Sequence, residues 1–408
     1  MKNIATLLAA TAISASPAFA ADLEVTHWWT SGGEAAAVTE FANAFNATEH
    51  TWIDGAIAGS GGTARPIIIS RILGGDPMHA TQLNHGRQAE ELIEAGLMLD
   101  LTDVAEAEGW ADIVNPSSLL DACTLDGRIY CAPVNIHSWQ WMWLSHQAYA
   151  DAGVDVPSNW NEFVASADAL EAAGKIPLAM GQQPWQSSGA FGVMAIAIAG
   201  VDTWLKVNRD KDADVAGGAE YTAVFEAAAN ARGLAANSNV QDWNQATNLV
   251  ITGKAGGQIM GDWAQGEFQV AEQVAGKDYT CLPGLGVNEI ISTAGDAFYF
   301  PVQDDPAIEA AQKELAALLL SPEVQVSFNL AKGSLPIRGD IDLSAANDCM
   351  KKGLEILAAG NIMPSGDILL SPDTSAQVED LMVEFWNDTS ISAADAQARY
   401  AAIIADAD

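Results

Sequence analysis

Apolar and polar positions alternate along residues 23–29, which predicts a strand. Apolar residues then fall at 37, 38, 41, 42 and 45, the spacing of one helix face, and predict a helix over 34–46. A second strand is expected over 50–58. The stretch GSGGTARP (59–66) reads as a Gly-rich loop, with Pro66 in the first turn of a helix running to residue 73. Gly74-Gly75-Asp76-Pro77 stops that helix, a short strand follows at 80–83, and a helix at 87–95. Strand and helix in turn imply an α/β layer around a mostly parallel sheet.

The rhythm changes after residue 120. A hairpin is expected over 122–132, followed by the extended aromatic run APVNIHSWQWMWL (132–144). Helical spacing recurs at 160–173, 190–199, 219–232 and 243–252, with short strands at 176–180 and 257–260. A strand at 298–302, helices at 306–319 and 321–331, and a helical end over 375–404 complete the pattern. No internal repeat or low-complexity run interrupts it.

Composition adds the compartment. Residues 2–20, KNIATLLAATAISASPAFA, carry Lys2, an apolar run over 4–13 and the small-x-small site Ala18-Phe19-Ala20, as a cleaved secretory signal does. The run is shorter than the roughly 20 apolar residues a bilayer span needs. The mature chain is expected to begin near Ala21 and to be soluble in the periplasm, with no membrane insertion. With 408 residues in all, two domains are a better expectation than one core. The formal charge of −35 argues against nucleic acid and anionic membrane surfaces as partners, and selects no function.

Four cysteines in an exported chain favour disulfides. Cys123 and Cys131 flank TLDGRIY, and a turn at Asp126-Gly127-Arg128 would set them opposite each other across the hairpin. That pairing leaves Cys281 with Cys349. Zinc is the rival reading, but no CxxC pair or His cluster supports it.

Candidate chemistry begins at THWWTSGGE (26–34). Ser31 and Glu34 fit a capping box, which would explain the glutamate without a ligand. Trp28 and Trp29 are neighbours at the carboxyl end of a strand, where side chains point to opposite faces and where α/β sheets bind ligands. At least one of them should face a site. A sugar ring offers an apolar face to indole and a belt of hydroxyls to Asp, Glu, Asn, Gln and His. The same mixture recurs in TQLNH (81–85), NIHSWQW (135–141), GQQPWQ (181–186) and GDWAQGEF (261–268). Six of the chain's 13 tryptophans fall in these islands.

These islands resemble those of extracellular solute-binding proteins that serve ABC sugar importers, in the branch of periplasmic glucose/mannose-binding proteins. The matching stretches are VTHWWTSGGE (25–34), GGDPMHATQL (74–83), PVNIHSWQW (133–141), PLAMGQQPW (177–185), IMGDWAQGEF (259–268), GDAFYFP (295–301) and LAKGSLPIR (330–338). They run in the family's order across nearly the whole mature chain.

The resemblance implies a two-lobe periplasmic-binding-protein-like α/β fold, with discontinuous lobes joined by a hinge and a sugar held between them. Hinge crossings are expected near Pro133-Val134, Phe300-Pro301 and Pro336-Ile337. One lobe would span 21–133 plus 301–336, and the other 134–300 plus 337–408. Cys281 and Cys349 then share a lobe. By resemblance, Trp28 or Trp29, Glu34, Gln82, Asn84 (or, by a one-residue shift, His85) and Lys332 would contact sugar from the first lobe. His137, Trp185, Asp262, Trp263 and Asp296 would do so from the second. Many relatives carry Arg where Ser138 stands and Asn where Gln140 stands, which bears on the sugar held.

The expected function is capture of a glucose- or mannose-like monosaccharide and its delivery to the permease subunits of an ABC importer, by a monomer with no cofactor. A disaccharide, glucoside or polyol is the alternative cargo. A glycoside hydrolase is a distant rival, because nothing in the spacing selects two opposed carboxylates among Glu34, Asp262 and Asp296. A metal site built from His27, His79, His85 and His137 is weaker still, since no i,i+4 His pair exists.

Overall fold

The computed structural model describes residues 20–407, so the expected signal segment lies outside it apart from Ala20. Nine strands make the two main sheets: β1 Asp22–His27, β2 Thr51–Ala56, β3 Ala80–Asn84, β4 Cys131–Pro133, β5 Trp141–Ser145, β6 Ile176–Ala179, β7 Ala255–Ile259, β8 Tyr279–Pro283 and β9 Asp296–Tyr299. The first sheet runs β2-β1-β3-β9-β4 and the second β8-β5-β7-β6. In the first, β1 pairs parallel with β2 and β3, while β9 pairs antiparallel with β3 and β4. In the second, β6 and β7 are parallel and β5 is antiparallel to both its neighbours.

Period-two alternation decides what each strand buries. On β1, Leu23 and Val25 join a core with Trp29, Phe41, Phe298 and Phe328 under helices Gly32–Asn46 and Pro322–Lys332. There the Phe41 and Phe328 rings stack at 4.0 Å. On the opposite face, Leu83, Ala297 and Tyr299 meet Ala64, Ile68 and Ile72 of helix Ser60–Leu73. The WMWL run of β5 divides in the same way. Trp141 and Trp143 turn to the core shared with the first lobe, and Met142 and Leu144 turn to the helices of the second. A strand buried on both faces reads as a continuous apolar run, which is why this segment shows no alternation in sequence.

Several expectations need correction. The GSGG stretch is not a loop: the helix begins at Ser60, after Gly59 at φ +106°, and Pro66 lies inside it. The left-handed Gly59 turns the chain abruptly and brings the helix start to the cleft. The helix expected at 190 starts at Pro184, a residue suited to a first turn. The helical end is two helices, Pro372–Asn387 and Ala393–Ala405. Residues 296–299, assigned above to the second lobe, form β9 of the first sheet, because their backbone pairs with β3 and β4. The neighbouring crossing therefore precedes Asp296.

Segments 134–140, 292–295 and 335–338 pass beside one another between the sheets. Ile136 bridges Leu335, and the His137 N–H donates to the Ala294 carbonyl. Cys123–Cys131 closes the hairpin in which Thr124 pairs with Ile129. Cys281–Cys349 ties β8 to helix Asp348–Ala358.

Candidate functional site

At the carboxyl end of β1 the two tryptophans diverge. Trp28 lines the cleft, with its backbone N–H donating to Gln82 Oε1 at 3.0 Å and its ring over Gly61. Trp29 is 1 % exposed and packs against Phe41, Phe298 and Phe328, reaching the cleft only at its edge. Ser31 caps helix Gly32–Asn46 by accepting from the Glu34 N–H. Glu34 does not close a capping box. One of its oxygens accepts from the Ser31 hydroxyl, and the other pairs with Lys332 Nζ at 3.1 Å. Lys332 ends helix Pro322–Lys332, where a cation suits the helix dipole, and Gly333 follows at φ +85°. A side chain at Gly333 would strike Gln265, so this turn also needs glycine for a close approach between the lobes.

Asp296, at the start of β9, is the centre of the polar network. Its Oδ1 accepts from Gln82 at 2.8 Å, and its Oδ2 accepts from Asn135 at 2.9 Å and from His137 Nδ1 at 3.0 Å. Burial raises its pKa, but the His137 charge and hydrogen bond, with Lys332 and Asn135, outweigh that and hold it well below the ordinary value. Burial opposes the His137 imidazolium, yet Asp296 and Asp262 overcome it and raise its pKa. Lys332 follows the same logic: burial is outweighed by Glu34, Asp296 and Asp262, and its pKa is raised. Asp262 shows the reverse balance. Burial pushes its carboxyl up to about 7, while Oδ2 accepts from the Ser138 N–H at 2.8 Å and Oδ1 has no partner.

Aromatic rings form the facing wall. Trp139 meets Trp263 edge-on at 4.9 Å and Trp185 at 5.4 Å, and His137 meets Trp263 at 5.2 Å. A Cβ at Gly189 would lie 2.3 Å from the Trp139 ring, so that helix position must be bare. Contacts between the lobes flank the cleft. Gly33 N donates to Glu267 at 2.7 Å, Gln183 Nε2 to Ser60 at 3.2 Å, and Asn84 Nδ2 to Asp367 at 3.0 Å. The cavity is about 350 Å³, within the size range of small-molecule sites.

Of the residues chosen from sequence, Trp28, Trp29, Glu34, Asn84, His137, Trp185, Trp263, Asp296 and Lys332 line this cavity. Gln82 lies one layer back, holding Trp28 and Asp296. Asp262 lies behind Ser138 and Trp263 and does not line the cavity. His85 does not take the polar position: its backbone bonds Gly295, and its buried ring has no partner. Asn84, one residue earlier and pointing the other way, lines the cavity instead. Lining residues not chosen from sequence include Arg65, Trp139, Gln140, Trp243 and Asp367. Trp139 and Gln140 stood inside the quoted NIHSWQW, and their aromatic–amide mixture was the signal available. Arg65 was hidden by reading its helix turn as a loop.

The site is a cleft between two lobes, with the charged network and Trp28 on one wall and Trp139, Trp185 and Trp263 on the other. Among the described residues, no helix is long and apolar enough to cross a membrane. Residues 29–326 match the model for bacterial extracellular solute-binding proteins. A protein of Rhizobium meliloti (strain 1021) named "probable sugar-binding periplasmic protein" is 36 % identical over 360 residues, covering 87 % of this chain and 86 % of that one. A xylose/arabinose-binding protein of Haloferax volcanii is 26 % identical over 370 residues, covering 86 % and 77 %. Among solved structures, a chitin oligosaccharide binding protein superposes with a TM-score of 0.77 at 18 % identity, covering 95 % of this chain and 99 % of that one. A solute receptor described as preferring β-D-galactopyranose gives 0.76 at 19 % identity, covering 95 % and 98 %. The two-lobed fold, the matched span and the identity to these relatives agree: this chain belongs to the family of bacterial extracellular solute-binding proteins.

Proposed function

We propose that this protein is a periplasmic sugar receptor of an ABC importer, which encloses a glucose- or mannose-like monosaccharide between its lobes and presents it to the membrane permease. The observation that carries this reading is the pairing of walls. Trp139, Trp185 and Trp263 offer indole surface, while Glu34, Asp296, His137 and Lys332 offer oriented donors and acceptors. An indole against a ring face and charged groups against its hydroxyls is the division a pyranose asks for. The "sugar-binding periplasmic" name of the Rhizobium relative supports the carbohydrate class and the compartment.

Binding without turnover fits the same geometry. Glycoside hydrolysis needs a protonated acid opposed to a second carboxylate across the bond. Here burial raises the Glu34 pKa against the pull of Lys332, but both its oxygens are already engaged, by Lys332 and by Ser31, and Asp296 is held by three donors. The reading places the protein as a monomer that delivers its cargo unchanged. The test is titration of the mature protein with free hexoses, pentoses and disaccharides, followed by tryptophan fluorescence and melting temperature. A cognate sugar at 100 times its Kd should stabilise the fold by about 2.7 kcal/mol. A saturable response to glucose or mannose, with the sugar recovered unchanged, supports the reading. A response only to another carbohydrate moves the cargo, and none at all removes the class.

A further inference from the structure

The cavity extends past the polar chamber. Trp185, Ser188, Gly189, Gly192 and Ile196 fall on one face of helix Pro184–Ala199, and all line it. At 1.5 Å per residue, Trp185 to Ile196 covers about 16 Å, longer than one sugar ring. The character changes along that length. Near Trp185 the walls carry the charged network. At the other end Phe191, Ile196, Trp204, Leu370 and Tyr400, each less than 9 % exposed, make up most of the wall, with Asn208, Ser375 and Glu379 as its polar members.

Gly192 is the position that keeps this end hollow. A Cβ built there meets nothing within 4 Å, whereas one at Gly189 collides with Trp139. Glycine inside a helix is disfavoured relative to alanine, and close packing does not explain its presence at 192. Two buried polar atoms of cavity-lining residues are also unsatisfied, the Gln140 Oε1 acceptor and the Trp185 Nε1 donor. A buried unpaired acceptor awaits a donor, and a ligand hydroxyl can supply one.

We propose that the cavity has a second, apolar compartment and that the cargo is a glycoside, with its sugar ring in the polar chamber and an aromatic or hydrocarbon aglycone along the Gly192 face. This rests on the sugar reading of the polar chamber. The mostly apolar walls favour a hydrocarbon group over a second sugar, whose hydroxyls would lose water there and find only the few partners that Asn208, Ser375 and Glu379 offer.

Calorimetric titration with methyl and phenyl glycosides of glucose, mannose and galactose, in both anomers, tests this. For the sugar that binds, the phenyl glycoside should bind at least about tenfold tighter than the methyl glycoside of the same anomer. Gly192→Leu, which fills open space, should erase that advantage while holding methyl glycoside affinity within about twofold. Equal or weaker phenyl binding overturns the proposal and leaves the sugar reading intact. So does a phenyl advantage that survives Gly192→Leu, because the aglycone would then sit elsewhere. If neither the free sugars nor any glycoside binds, the sugar reading fails and this proposal fails with it. The wild-type comparison stands alone should the variant not fold.

Discussion

The two walls of the cleft solve different physical problems. On the wall built from the first sheet and its helices, the charged network is held by other protein groups: Glu34 by Lys332, and Asp296 by Gln82, Asn135 and His137. The wall built from the second lobe is largely indole, and its buried carboxyl, Asp262, keeps one oxygen unpartnered. A wall of mutually neutralised charges sets directions for hydrogen bonds without presenting a net charge, so it suits a neutral polyol. A wall of rings contributes area and little direction. The contrast predicts that damage to the first wall appears chiefly in folding, and damage to the second chiefly in binding.

The sharpest way to break the contrast is Lys332→Met. It leaves the Glu34 carboxylate buried with only the Ser31 hydroxyl, and removing one partner of a buried pair costs about 3–5 kcal/mol. Urea denaturation of the ligand-free protein should show that loss. The double variant with Glu34→Gln should recover most of it, since no charge is then stranded. A loss below about 1 kcal/mol would mean that the first wall is not held by this pair. Next in size is Trp263→Ala, expected to weaken sugar binding about 100-fold, equivalent to about 3 kcal/mol. Because Trp263 faces the cavity between His137 and Trp139, its removal should shift the denaturation midpoint less than Lys332→Met does. Comparable losses of stability from both variants would erase the distinction between the walls.

How much of this was legible in the sequence follows from what each signal measures. The alternation in β1 and the helical spacing at 37–45 report burial on one face, and both elements are where the pattern puts them. Periodicity could not show that GSGG is a helix turn, because glycine has no side chain to pattern and its role is set by the left-handed turn at Gly59. Nor could it place β9 with the first sheet, since long-range pairing leaves no local mark. Within the site, the aromatic and amide islands located both walls. His85 and Asn84 could not be separated by composition. The strand phase, with Asn84 toward the cleft and His85 behind Gly295, separates them. Gln140 stood in one of those islands, but its unsatisfied acceptor is a property of packing that no residue type announces.

The smallest expected effect concerns Asp262 and gives the contrast a pH signature. Its folded pKa, raised by burial to about 7, lies above the unfolded value near 3.9. The native state therefore keeps a proton that the unfolded chain releases between about pH 4 and pH 7. Stability falls across that window and levels off above it. A tenfold difference in proton affinity between the two states is equivalent to about 1.4 kcal/mol, so raising the pH from 5 to 8 should lower ligand-free stability by about 2.6 kcal/mol through this group. Asp296, held well below the ordinary carboxylate value, does not titrate in that range. Asp262→Asn keeps an acceptor for the Ser138 N–H and removes the titration, so its stability should vary less between pH 5 and pH 8. His137 has the same sign, because its raised pKa makes its contribution fade as pH rises through a value above 6.5. That part should survive the substitution but move to lower pH, since Asp262 is one of the charges raising it. Urea melts of both proteins at pH 5, 6, 7 and 8 separate the two groups. If the two curves run parallel, Asp262 is ionised in the native state throughout, and the second wall carries a buried negative charge that a neutral cargo would have to tolerate.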